Sequence, residues 1–159
     1  MILDTMGPTA LSVEHIGSTS VPGLAAKLVI DLLLVVADID DEDCYVVPLE
    51  SIGPLLRVRE HEHRMLRTTE LTYRVHVLPP ETAEQTHYLN LCDWLRVSAA
   101  DHDLYASTKR TLSASKWSDM NHYADARAWS SNRFWRMHTT GAQPGPSVQP
   151  TSDIHPVEG

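Results

Sequence analysis

Between Leu28 and Val36 the chain is apolar at every position but one, Asp31. A strand with one face in water alternates apolar and polar residues, so an unbroken run belongs to a strand covered on both sides. A chain carrying it folds around a sheet with packing layers above and below. Asp31 then stands out, because a carboxylate inside such a strand is costly unless it is paired or binds a cation. Lys27 is one partner available in the sequence. A metal ion beside bound phosphates is another.

The first half reads as strands around that run. Leu11 to Ile16 alternates apolar and polar residues, and Leu55–Glu60, His63–Thr68 and Tyr73–Leu78 are strand-like, with a turn at Thr69-Glu70 and a stop at Pro79-Pro80. Asp38 to Ile52 predicts a helix opened by acidic residues and kinked at Pro48. The second half reads as helices. Tyr88, Leu91, Cys92 and Leu95 follow helical spacing, Ser98 with Asp101 resembles a capping box that starts a helix running through Leu112, and Trp117, Met120, Ala124 and Ala128 predict a third. The expected class is α/β in the α+β sense: a mixed sheet with flanking helices and a C-terminal helical segment.

Composition bounds the rest. The 159 residues suit one domain, which we place at 1–136. The tail, 137–159, is rich in proline and is expected to be disordered. The longest apolar run, Leu32–Ala37, is far below the roughly 20 residues of a membrane span. No secretory signal opens the chain, and two cysteines make neither a disulfide framework nor a cysteine-rich zinc site, so the cytoplasm is the expected location. With 21 acidic against 13 basic residues, duplex nucleic acid is not an expected partner. A small phosphate ligand remains compatible, since a local anion site needs few charges.

The densest chemistry lies from Val13 to Leu32. A strand ends at Ile16, Gly17 permits a tight turn, and Ser18, Thr19 and Ser20 bring hydroxyls beside backbone N–H groups. A short helix starting near Val21, with Pro22 in its first turn, would complete an anion cradle. The same residues taken singly also describe an ordinary turn and cap. Twelve residues separate Ser18 from Asp31, enough for a short return that sets the carboxylate beside the turn.

Glu14 to Lys27, E-H-I-G-S-T-S-V-P-G-L-A-A-K, followed by I-D-L, closely resembles the signature of the GrpB family. E-H-R-M-L-R-T (Glu62–Thr68), R-V-H-V (Arg74–Val77), D-W-L-R (Asp93–Arg96) and Y-A-S-T-K-R (Tyr105–Arg110) agree with it. That family is placed in the nucleotidyltransferase superfamily, and some members are fused to dephospho-CoA kinase. The resemblance implies a nucleotidyltransferase-like domain. It would move a nucleotidyl group from a nucleoside triphosphate to a hydroxyl acceptor with Mg²⁺ or Mn²⁺, Gly17 and Ser18 holding phosphate and Asp31 the metal.

The chain departs from the superfamily pattern in its acids. The second carboxylate is expected two residues after Asp31, where Leu33 stands, and the third on a later strand, where R-V-H-V offers His76. Glu60 and Glu62 are the nearest other acids. The candidate site is therefore Asp31 and His76 for catalysis; Gly17, Ser18, Thr19, Ser20, Lys27 and Arg64 for the nucleotide; and Asp31, His63 and His76 for a metal. His15 and His61 are further members of a histidine cluster, or simply strand-surface residues. Arg67 and Arg74 flank the same strands, and Asp93, Arg96, Tyr105 and Lys109 are polar positions of the helical half. With the acid set incomplete, the alternative is a nucleotide- or metabolite-binding module on the same fold. Only ten residues precede the first strand, fewer than the resemblance implies. A sheet face left uncovered there would invite a second copy of the chain.

Overall fold

The computed structural model describes residues 2–24 and 29–114. Helix α1 (Ile2–Met6) leads through a 3-10 turn into strand β1 (Ala10–Ile16), and β2 (Ile30–Val36) follows. Helix α2 (Val46–Ser51) precedes strands β3 (Leu55–Glu60), β4 (His63–Arg67) and β5 (Tyr73–Leu78). Two longer helices, α3 (Ala83–Val97) and α4 (Ala99–Ala114), complete the described part. The strands form one mixed sheet in the order β1-β2-β5-β4-β3. Only β2 and β5 run parallel, and the other pairs are antiparallel. The α+β class expected from the sequence is the one observed.

The apolar run does what its composition requires. Leu34 and Val36 face one core with Ile2, Met6, Tyr45, Leu49, Leu66, Val75 and Val77. Leu33 and Val35 face the other, with Ile16, Leu78, Cys92 and Leu95 of α3, and Ala106 of α4. The period of two splits one strand between two cores. Helix α1 covers part of the first face, since Ile2 and Met6 are both buried there. The segment before β1 therefore contributes to the packing layer.

Two local expectations are corrected. Asp38 to Ile52 is not one helix. Residues 38–41 form a bend in which Asp40 N–H donates to Asp38 Oδ1, a 3-10 turn spans Glu42–Cys44, and α2 begins only at Val46. Starting there places Pro48 third in the helix, where an intrahelical N–H bond would be missing anyway. Near Val21 there is likewise no helix: Ser18–Ser20 is a 3-10 turn and Val21 is extended. Lys27, the helix expected around 117–128 and the tail lie outside the described residues.

The helical half matches its caps. Thr82 accepts the Gln85 backbone N–H at 3.1 Å to start α3. Ser98 donates to Asp101 Oδ2 at 2.7 Å, and Asp101 also accepts the Trp94 indole N–H at 2.8 Å, which fixes the α3–α4 corner. Among the described residues no helix is long and apolar enough to cross a membrane.

Candidate functional site

Antiparallel pairing sets Ile16, the last residue of β1, opposite Asp31 near the start of β2. The chain turns immediately after Ile16, so the turn lies over the Asp31 carboxylate. Gly17 has φ +73° and ψ −171°, and a Cβ built there would lie 2.8 Å from Asp31 Oδ2. Glycine is required twice, for the backbone angle and for the space. Ser20 donates its hydroxyl to the Gly17 carbonyl at 2.8 Å, and its own carbonyl accepts from the Arg96 guanidinium at 3.0 Å. Lys109 of α4 donates to the Ser18 hydroxyl at 2.5 Å. Both long helices therefore brace the turn. Thr19 serves it differently, hydrogen bonding His15 at 2.9 Å.

Asp31 is 8% exposed and is paired. The parallel register puts Arg74 of β5 beside it. Arg74 donates from a terminal nitrogen to Oδ2 at 2.9 Å, and its Nε lies 2.6 Å from Oδ1 as an ion pair without hydrogen-bond geometry. His76 Nε2 is 3.7 Å from the same Oδ1. Burial pushes the carboxyl pKa up, but hydrogen bonding to His76 and the Arg74 charge outweigh it, and the net shift is downward. Asp31 is thus a carboxylate held ionised by an arginine.

From His76 the polar contacts continue along the sheet. His76 Nδ1 is 3.1 Å from His63 Nε2 on β4, and His63 Nδ1 is 3.3 Å from Glu60 Oε2. The Tyr88 ring of α3 lies against His76 with centroids 5.5 Å apart. The structure brings Asp31, His76 and His63 into one chain of contacts. The two nitrogens of His76 point at different partners, and no group of three or more His, Cys, Asp or Glu side chains able to hold a metal ion occurs among the described residues. Magnesium prefers several oxygen ligands. This edge offers one carboxylate, already on Arg74, with Leu33 wholly buried in the apolar core. The residues present do not fit a pair of divalent ions.

Arg64 does not join the site. It alternates with His63 and Met65 and therefore projects from the opposite face, where Glu42 accepts from its Nε at 2.6 Å and Asp40 lies 3.2 Å away. His15 and His61 are exposed and apart from the His63–His76 pair. A cleft of about 420 Å³ lined by Asp38, Asp40, Glu60, Glu62 and Arg64 lies at the far end of the strands from the Gly17 turn.

Arg67, not Arg64, lies at the Asp31 end of the sheet, directly opposite Arg74 in the β4–β5 register. The buried Thr68 fixes that pairing by accepting the Thr72 and Tyr73 backbone N–H groups at 3.0 and 3.3 Å. Ile30 N–H donates to the Thr72 carbonyl at 3.0 Å, tying the start of β2 to the same loop. Parity along β4 was the available signal: residues two and four before Arg67 are Met65 and His63, so Arg67 shares their face.

Comparisons with known proteins place the chain among its relatives. A UPF0157 protein of Halalkalibacterium halodurans is 46% identical over 130 residues, covering 80% of this chain and 67% of that protein. One from Streptomyces coelicolor is 47% identical over 127 residues, covering 80% and 68%. The chain thus spans about two thirds of the length of these relatives. The crystal structure of the conserved protein GrpB from Enterococcus faecalis superposes with a TM-score of 0.68 at 27% identity, over 84% of this chain and 88% of that one. The GrpB protein family model matches residues 2–134, from α1 through the whole sheet and both long helices, and the chain belongs to that family.

Proposed function

We propose that the chain binds a nucleotide, its phosphates lying on the Gly17–Ser20 turn beside Asp31. The observation that carries this reading is the contact between Lys109 and the Ser18 hydroxyl. It sets a cation from α4 on a glycine-serine turn that Arg96 of α3 also braces. A positive group on such a turn, at the edge of a sheet, suits a phosphate oxygen. The family's place among nucleotidyltransferases supports the same ligand class.

The geometry favours binding over nucleotidyl transfer. Transfer through two metal ions needs a set of carboxylates. Here Leu33 holds the second position, and Arg74 occupies the one carboxylate available. The direct experiment is calorimetry of the purified chain with ATP and GTP, run beside labelling with α-³²P nucleotide in Mg²⁺ or Mn²⁺. Saturable binding without label transfer is expected. Label transfer to an acceptor would favour the transferase reading, and absence of binding by either nucleotide would refute the proposal.

A further inference from the structure

Two arginines face each other where the sheet meets the Gly17 turn. Arg67 and Arg74 are directly paired in the β4–β5 register, a placement that sets like charges side by side. Arg74 is neutralised by Asp31. Arg67 makes no ion pair and no hydrogen bond among the described residues, and its Nε is buried. The Arg74 Nε is buried too and lacks a properly directed acceptor. The Arg67 Nε–H is thus withdrawn from water with nothing to donate to, an arrangement that proteins normally avoid. It is also held firmly, since Thr68 locks the loop between the two strands.

We propose that the Arg67–Arg74 pair is the seat of a phosphoryl group, bound without a divalent ion, and that the ligand carries at least two linked phosphoryl groups. A guanidinium fork matches a phosphate edge with two parallel hydrogen bonds. An anion there supplies the acceptor that the Arg67 Nε lacks and offsets the repulsion between the arginines. Asp31 sits between this pair and Ser18 with Lys109. Adjacent strands are roughly 5 Å apart, so a single phosphate does not reach both groups of cations, whereas a diphosphate or triphosphate does. Leu33 and His76 stand where ion-binding acids would be expected, and the arginines supply the positive charge directly. This inference rests on the nucleotide reading for the rest of the ligand but not for its phosphates.

The test is calorimetry with ATP, AMP and inorganic pyrophosphate, each in EDTA and in Mg²⁺, on the wild-type chain and on Arg67→Gln and Arg67→Lys. ATP and pyrophosphate are expected to bind in EDTA, and AMP much more weakly. Arg67→Gln should weaken ATP and pyrophosphate by about 10- to 100-fold, with partial recovery in Arg67→Lys. The urea midpoint of Arg67→Gln should stay level or rise, because a half-buried charge set opposite Arg74 with no acid of its own has been removed. Pyrophosphate binding without any nucleotide binding refutes the nucleotide reading and leaves the arginine site standing. Nucleotide binding that requires Mg²⁺ and ignores Arg67→Gln overturns the arginine site and leaves the nucleotide reading. Binding of neither overturns both. A midpoint that falls in Arg67→Gln, with affinity preserved in Arg67→Lys and in the folded fraction of Arg67→Gln, makes the arginine structural and also overturns the site.

Discussion

Gly17→Ala tests the geometry of the turn most directly. The backbone there, at φ +73° and ψ −171°, lies in a region essentially restricted to glycine, and holding another residue in it costs about 1–3 kcal/mol. The new methyl group would stand 2.8 Å from Asp31 Oδ2 and 3.2 Å from Asp31 Cβ. Asp31 is clamped by Arg74 and cannot swing aside freely. Overpacking of this kind costs about 1–3 kcal/mol more. The two penalties overlap, because one relaxation relieves both, so the expected loss is about 2–5 kcal/mol. Urea unfolding should show it as a midpoint lower by about 1–3 M at unchanged slope. Gly23→Ala is the control. Gly23 also has positive φ, at +76°, but the nearest atom to its added Cβ is His102 Nε2 at 3.8 Å. It should lose only the backbone share. Combining Gly17→Ala with Asp31→Ala removes the carboxyl part of the clash, so the double variant should lose less than the sum of the singles. Equal losses in the two glycine variants, or an additive double variant, would refute the argument that Asp31 presses on the turn.

Two further outcomes follow from the charges and the loop. Glu42 is held down to about 2 from an ordinary 4.5 by hydrogen bonds from Arg59 and Arg64, and Asp31 is also lowered. Acids depressed on folding stabilise the chain above their unfolded pKa and lose that contribution as pH falls through the folded one. Stability should therefore drop between roughly pH 5 and pH 2. Glu42→Gln should be less stable at neutral pH and flatter across that window, and parallel curves would contradict this. Thr68→Val leaves the Thr72 and Tyr73 N–H groups without their acceptor and should cost about 1–3 kcal/mol in urea unfolding while weakening pyrophosphate.

Much of the fold was legible because its signals are local. The bounds expected for Leu55–Glu60 and Tyr73–Leu78 are those observed, and the central strand differs only at its start. The Ser98–Asp101 cap reads directly from side-chain chemistry. The failures are equally physical. Acidic residues at 38–43 suit a helix N-terminus, but they serve a bend and an ion network with Arg59 and Arg64 instead. In the candidate site, the turn and Asp31 were visible as a motif. Arg74 as the partner of Asp31 was not, because parallel pairing across 43 residues leaves no local trace. Arg64, expected at the nucleotide, lies on the face opposite Arg67, because a shift of one residue along β4 moves a side chain to the other face.

The sheet is a join between two locally wound pieces. Residues 10–36 pair β1 with β2, residues 55–78 pair β3, β4 and β5, and the parallel β2–β5 ladder is the seam between them. Each piece closes over short range, whereas the seam requires distant segments to meet and carries the larger entropic cost. The turn and Asp31 belong to one piece, Arg67 and Arg74 to the other. The proposed ligand seat is therefore not complete in either half, and a partial opening along this line would abolish it while leaving both hairpin units intact. A ligand lying across the seam would act as a rivet, so slower amide exchange from Ile30 to Val35 would record its arrival before any gross change in shape.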